Sequence, residues 1–294
     1  MSAQTRRGRF APSPTGPLHI GSLVAALGSY LNAHRNQAEW LVRIDDLDPP
    51  REQPGAADAI LRSLAAHGLH WHGEVMYQSR RSDAYEAAIT ELVRSGLAYY
   101  CRCSRKQIEQ EGTAGEFGAV YNGHCRKLHH QDRDAALRVI VDDQAVTVHD
   151  RIQGDYTQIL DRDIGDFVIK RRDGLYAYHL AAVVDDAEQG ITEIVRGVDL
   201  LDSTPRQCYL QTRLNLPTPE YAHLPVVMNE LGQKLSKQNL APPLDDHKAG
   251  SNLCQALVFL NQDPPESLGN ESVTTILDWA LDNWKLESTT TARR

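Results

Sequence analysis

Aromatic residues are scarce in this chain of 294 residues, at only 6%, so its core must be built from Leu, Val, Ile and Ala rather than from stacked rings. No stretch approaches the roughly 18 consecutive apolar residues that a membrane helix needs. Nor does an apolar run follow Arg6 and Arg7, as it would in a secretory leader, so a soluble, cytoplasmic protein with no membrane partner is expected. Cysteines number five (Cys101, Cys103, Cys125, Cys208 and Cys254). An odd count with three of them clustered excludes a fully paired disulfide framework and fits a reducing compartment. Positive charge is not in excess: 31 Lys and Arg face 39 Asp and Glu, a net of -8, which argues against a histone-like, sequence-blind nucleic-acid binder. A nucleic-acid partner stays open, because residues 101–133 carry six basic and four acidic side chains against that background. Internal repeats are absent as well.

What is present is ordinary globular usage, 41% hydrophobic and 24% charged, in a chain long enough for about two domains. Arg7 to Ala11 reads as a short strand, broken by Pro12, Pro14 and Pro17 around Gly16. Leu23, Ala26, Leu27, Tyr30 and Leu31 then fall at helical spacing, which predicts a helix from Leu18 to about Asn36. Glu39–Ile44 reads as a buried strand, and the order strand, tight loop, helix, strand opens a parallel nucleotide-binding sheet. Helices are expected near Pro54–His67 and Ser82–Gly96. Periodicity fades from Cys101 to about Asp150, apart from a short strand at Leu137–Val141, and residues 101–150 read as an insertion between two halves of the sheet domain, 1–100 and 151–240. Strands at Asp166–Lys170, Thr192–Arg196 and Tyr221–Met228 alternate with helices around Tyr178–Ala187 and after Ser203-Thr204-Pro205, a capping residue followed by Pro in the first turn. Residues 241–294 read as a short helical segment, near Asn252–Asn261 and Ser272–Trp284, ending in a disordered tail from Ser288. Cys208 and Cys254 read as buried small hydrophobes, and Trp279 and Trp284 as core.

Two loops carry chemistry. In the first, Pro12 to Ser22 contains His19 and Gly21 at the start of the long helix, where free N–H groups and the positive dipole end favour an anion; His19 adds a donor, and Gly21 lets a flat ring or phosphate approach the backbone. In the second, Lys234-Leu235-Ser236-Lys237 after Gly232 makes a cationic loop suited to following polyphosphate. Either one alone is explained equally well by an ordinary helix start or a solvated basic turn.

Together the two loops resemble the HIGH and KMSKS elements of class I aminoacyl-tRNA synthetases. The segments Arg9-Phe10-Ala11-Pro12-Ser13-Pro14-Thr15-Gly16, Arg43-Ile44-Asp45-Asp46-Leu47-Asp48, Tyr178 to Asp186 and Arg196 to Thr204 are similar to the glutamyl-tRNA synthetase pattern, in order, over about residues 7–245. The chain departs from it in His19-Ile20-Gly21-Ser22, in the Gln238 that ends the second loop, and in Asp45, where the family usually has Glu. After Lys237 only 57 residues remain, too few for an anticodon-binding domain. This narrows the resemblance to the short glutamyl-Q group, which transfers glutamate to the queuosine base of the tRNA(Asp) anticodon.

The resemblance implies an α/β, Rossmann-like catalytic domain and an AMP-forming reaction. His19, Gly21, Lys234, Ser236 and Lys237 would bind ATP with Mg²⁺, His19 and Lys237 stabilising the transferring phosphoryl group. Arg9, Phe10, Ala11, Pro12, Ser13, Asp45, Tyr178 and Arg196 would bind L-glutamate, the two arginines taking its carboxylates. Partners would be ATP, L-glutamate and queuosine-containing tRNA(Asp), and a monomer is expected. Other readings are a truncated synthetase charging a tRNA 3′ end, a nucleotidylyltransferase sharing the helix start, and a catalytically silent RNA-binding paralogue.

Cys101-x-Cys103 with Cys125 supplies three thiolates for one structural Zn²⁺ in an insert poor in core residues. For the fourth ligand the chemistry of the residues favours His124, His129 or His130. The resemblance to the glutamyl-Q group implies Tyr121.

Overall fold

The computed structural model describes residues 5–289, apart from 133, 229–234 and 236–240. It runs β1 (Arg7–Phe10), α1 (Ile20–Arg35), β2 (Glu39–Ile44), α2 (Ala56–Ala66), β3 (Met76–Tyr77), α3 (Ser82–Arg94) and β4 (Ala98–Cys101). A cysteine-rich module follows, with α4 (Arg105–Glu111) and the hairpin of β5 (Thr113–Gly115) and β6 (Gly118–Val120). Next come β7 (Ala136–Val139), β8 (Ala145–Asp150), β9 (Gly154–Ile159), α5 (Leu160–Asp163) and β10 (Val168–Lys170). The remainder is α6 (Tyr178–Glu188), β11 (Glu193–Gly197), α7 (Thr204–Arg213), β12 (Glu220–Leu224), α8 (Ala249–Phe259) and α9 (Val273–Asn283).

β1 pairs in parallel with β2, and β2 with β3; β11 pairs in parallel with β12. The two groups meet at β1 and β11, where the Thr192 amide donates to the Arg7 carbonyl at 2.9 Å and the Arg7 amide to the Thr192 hydroxyl at 2.9 Å. The strands therefore lie in the order β3, β2, β1, β11, β12, with crossover helices between parallel neighbours, as a doubly wound sheet requires. β8 extends the array beside β12 with Asp150 opposite Tyr221, and β9 folds back on it as an antiparallel hairpin. A separate antiparallel sheet, β4–β7–β10, sits beside α3 and α6 over a core that includes Tyr85, Leu92, Val139 and Leu180.

Helix α1 is central. It packs on β1, β2 and β11 with one side and on α8 and α9 with the other, which explains why Leu23, Val24, Ala26, Leu27, Tyr30 and Leu31 are all buried. Trp40 on β2, fully buried, stacks on Phe10 and gives its indole N–H to the Ser29 hydroxyl at 3.0 Å. Aliphatic side chains make most of the remaining core, as the scarcity of rings requires.

Several elements differ from expectation for local reasons. The first helix begins at Ile20, and His19, with extended backbone, is its cap rather than part of its first turn. The strand from Tyr221 stops at Leu224, because Pro225 brings no N–H to the ladder. Within residues 101–150, β7 and β8 join sheets whose other strands lie outside that span, so only its first thirty or so residues (roughly) form a module of their own. Helix α4 there carries a capping box between Ser104 and Gln107, a spacing readable in the sequence. Cys208 and Cys254 are half-buried rather than enclosed. Trp284 is buried, and Trp279 packs partly exposed on the same core. Of the expected tail, Ser288 and Thr289 belong to a short turn with Thr289 buried; residues 290–294 lie outside the described residues.

At Gly28 a Cβ would come within 2.5 Å of the Leu224 Cδ1 atom, and Leu224 is fully buried. Gly28→Val should therefore overpack the α1–β12 contact and lower stability by about 1–3 kcal/mol, read from the urea unfolding midpoint.

Candidate active site and metal centre

A cavity of about 330 Å³ opens at the carboxyl ends of β1, β11 and β12 and at the N-terminus of α1, where an open parallel sheet leaves its crevice. The loop after β1 contributes Ala11, Pro12 and Ser13, and the helix start contributes His19 and Gly21. Arg9 and Phe10 of β1, Tyr178 from the first turn of α6 and Arg196 of β11 complete the wall, with Val226, Val227 and Leu235 at the other side. Lys234, Ser236 and Lys237 lie outside the described residues. Leu235 between them donates its amide to the Val227 carbonyl at 2.7 Å and faces the same cavity.

His19 is buried and accepts the Ser22 amide on Nδ1 at 3.3 Å. That assigns the proton of a neutral ring to Nε2, which makes Nε2 the donor. Gly21 sits close under this ring, where a Cβ would lie 3.1 Å from His19 Cε1 and press on it.

The two arginines are held differently. Arg9 gives Nε and Nη2 to the two oxygens of Asp186, at 3.2 and 3.3 Å. Asp186 also accepts from Arg43 Nη1 at 2.6 Å, and Arg43 Nε donates to Asp45 at 2.7 Å. Asp45 is not among the residues lining the cavity; one oxygen of its carboxylate accepts from Arg43. All four groups are buried. Burial alone would raise the Asp186 carboxyl, but the Arg9 and Arg43 guanidiniums outweigh it and hold it at about 2. Arg196 donates Nε to His223 Nε2 at 3.0 Å, Nη2 to Thr204 and Gln207 at 2.9 and 2.8 Å, and Nη1 to the Tyr178 hydroxyl at 3.2 Å. Asp186, Arg43, His223, Thr204 and Gln207 were not singled out in the sequence. Arg43, Asp186 and Thr204 stood inside the motifs, whereas His223, in the strand Glu220–Leu224, carried no signal.

The cysteine module brings Cys101, Cys103 and Cys125 together, with their sulfurs all within 4.8 Å of one another. Cys103 Sγ lies 3.5 Å from Cys125 Sγ, and the Tyr121 hydroxyl lies 3.3 and 3.6 Å from Cys101 and Cys103. A tetrahedral ion with thiolates at about 2.3 Å needs ligand atoms roughly 3.8 Å apart, so the set could hold a metal ion. His124 is instead half-exposed and 3.8 Å from Glu111. The module is tied down through Asp166, which accepts from Arg126, the neighbour of Cys125, at 2.6 Å, and from the Tyr99 hydroxyl just before Cys101. Arg138 donates to the Asp166 carbonyl at 2.6 Å and lies 4.2 Å over the Tyr121 ring. Gly165 has φ of +73°, and a Cβ there would meet the Tyr121 carbonyl at 2.4 Å, so only glycine permits this approach.

A family model described as class I tRNA synthetases (E and Q), catalytic domain, matches residues 6–255. A protein from Chromobacterium violaceum named glutamyl-Q tRNA(Asp) synthetase is 53% identical over 287 residues, 97% of this chain and 96% of that protein. One of the same name from Pseudomonas aeruginosa is 52% identical, covering 94% and 92%. The chain belongs to the glutamyl-Q tRNA(Asp) synthetase family. It is thus a ligase of the class I aminoacyl-tRNA synthetase kind. Among solved structures, a glutamate tRNA ligase from Elizabethkingia meningosepticum shares the fold with a TM-score of 0.79 at 24% identity. The match covers 98% of this chain, which spans 66% of that longer protein. No helix among the described residues is long and apolar enough to cross a membrane.

The buried carboxylate makes a pH prediction. Asp186 moves from an ordinary 3.8 to about 2 in the folded state, so its contribution, about 2 kcal/mol, is complete above pH 4 or so and is lost as pH falls through about 2. Asp186→Asn should remove this acid limb and cost about 3–5 kcal/mol at neutral pH by leaving Arg9 without its carboxylate and Arg43 with Asp45 alone. Urea unfolding of both proteins between pH 2 and 7 (roughly the working range) measures both effects.

Proposed function

We propose that the enzyme activates L-glutamate with ATP as glutamyl-adenylate and transfers the glutamyl group to the queuosine base in the anticodon of tRNA(Asp). The observation that carries this reading is one cavity in which Arg9, Arg196 and Tyr178 stand beside His19 at a helix N-terminus. The names of relatives that match nearly end to end support the same substrates.

Glutamate offers two carboxylates and one ammonium. Asp186 engages Nε and Nη2 of Arg9, so Nη1 is the edge of that guanidinium left for a carboxylate. Arg196 likewise offers its Nη1 edge, next to the Tyr178 hydroxyl. The α-carboxylate is already ionised at neutral pH and attacks the α-phosphorus of ATP without a protein base; pyrophosphate leaves. Catalysis is then alignment and charge stabilisation. The Nε2–H of His19 is the donor for the phosphoryl oxygens, and the resemblance assigns Lys234, Ser236 and Lys237 to the same nucleotide. Mg²⁺ bound with the nucleotide would neutralise charge on its phosphates. In the second step a hydroxyl of the cyclopentenediol attacks the mixed anhydride, forming the ester and releasing AMP. Zn²⁺ on Cys101, Cys103, Tyr121 and Cys125 would be structural, standing in for a core that the module lacks.

Incubation with ATP, radiolabelled glutamate and tRNA(Asp), with and without queuosine, tests the reaction. Label should enter only the modified tRNA, protect its diol from periodate and map by nuclease to the anticodon. Equal labelling of unmodified tRNA at its 3′ end would sink the proposal, and absence of any adenylate would leave a silent paralogue. Arg9→Lys keeps a charge beside Asp186 but loses the planar fork. It should raise KM for glutamate about tenfold or more in pyrophosphate exchange while KM for ATP stays within about twofold. The purified protein should hold close to one zinc per chain, and Cys125→Ser should abolish it, as read by chelator competition.

A further inference from the structure

Behind Arg196, on the side away from the cavity, stands a fully buried pair that the proposed reaction does not use. The side chains of Asp150 and His223 have no exposed surface. Asp150 ends β8, and His223 lies two residues beyond its partner Tyr221 on β12. One oxygen of Asp150 accepts the backbone amides of Ile152, Gln153 and His223 at 3.0, 2.8 and 3.2 Å. The other oxygen lies 2.6 Å from His223 Nδ1. His223 Nε2 lies 3.0 Å from Arg196 Nε and 3.2 Å from the Thr204 hydroxyl.

The proton assignments follow from valence. A carboxylate only accepts, so Nδ1 carries the proton. Arginine only donates, so Nε2 of a neutral ring is bare. The Thr204 hydroxyl donates to the Leu200 carbonyl at 3.0 Å and accepts from Arg196 Nη2, leaving Nε2 to Arg196.

We propose that Asp150 and His223 are positioning residues that lock Arg196 in one orientation, Asp150 fixing the imidazole tautomer and the imidazole holding the guanidinium so that its Nη1 edge faces the amino-acid pocket. This rests on the reading that Arg196 binds a glutamate carboxylate. Burial and the neighbouring Arg196 outweigh Asp150 and bring the His223 imidazole below its usual range, in keeping with a neutral ring.

Asp150→Asn tests the inference with an almost isosteric change. Its amide oxygen keeps the three backbone donors, so its NH2 group must face Nδ1. The ring is then forced to carry its proton on Nε2, directly against Arg196 Nε–H. KM for glutamate in pyrophosphate exchange should rise about tenfold or more, with KM for ATP within about twofold of the parent in the fraction that is folded. His223→Gln keeps an acceptor at the ε position and should stay within about fivefold of the parent, whereas His223→Leu should match or exceed the loss in Asp150→Asn. Independently of activity, ¹⁵N-edited imidazole spectra of the parent should report a protonated Nδ1 and a bare Nε2, and the reverse in Asp150→Asn. A glutamate KM unchanged in Asp150→Asn, or a parent ring protonated on Nε2, would overturn the inference. A parent that supports no glutamate-dependent exchange while showing the expected tautomer would instead overturn the proposed substrate, and with it the role of the pair in glutamate binding.

Discussion

A carboxylate enclosed by two guanidiniums joins the structural and chemical halves of this protein. Asp186 on α6 reaches Arg9 on β1 and Arg43 on β2, so one group secures a helix to two adjacent parallel strands at the ends where the cavity opens. Such a group is costly to desolvate and stable only when its partners are in place. The same contact that stabilises the crossing also sets which edge of Arg9 is left toward the cavity. Asp45 belongs to this network through Arg43 rather than to the cavity wall.

A second buried network repeats the logic on the other side. Arg196 is surrounded by His223 of β12, Tyr178 of α6, and Thr204 and Gln207 from the first turn of α7. Two cations that would otherwise sweep through many rotamers are each held by groups outside the cavity. Preorganisation of this kind would reduce the ordering cost of binding the glutamate proposed for this cavity. The cysteine module follows a related rule. It has few apolar contacts of its own, and Asp166, Arg126 and Arg138 fasten it to the β4–β7–β10 sheet by polar links, leaving its thiols facing one another.

The periodic elements were readable because their burial is one-sided or continuous. The stripe through Leu23, Leu27 and Leu31 announces α1, and Glu39–Ile44 announces a strand enclosed on both faces. The boundaries were less readable where capping decided them: His19 looks like a helical residue but its extended backbone makes it the cap. Residues 101–150 were read as a separate insert because periodicity fades there while cysteines and glycines cluster. Val146 and Val148 of β8 do alternate and pair locally with β9, yet the strand that joins this hairpin to the parallel sheet lies some seventy residues away at Tyr221. Nothing local identifies such a partner.

Sequence alone determined the family, the doubly wound sheet, the loop residues at the helix start and the three thiols, because each is carried by residue type at short spacing. It did not determine what each charged side chain faces. That Asp186 sits between Arg9 and Arg43 and that His223 lies behind Arg196 are both consequences of elements meeting across the fold. Contacts between residues 27 to 177 positions apart depend on register and packing, which only the tertiary structure supplies.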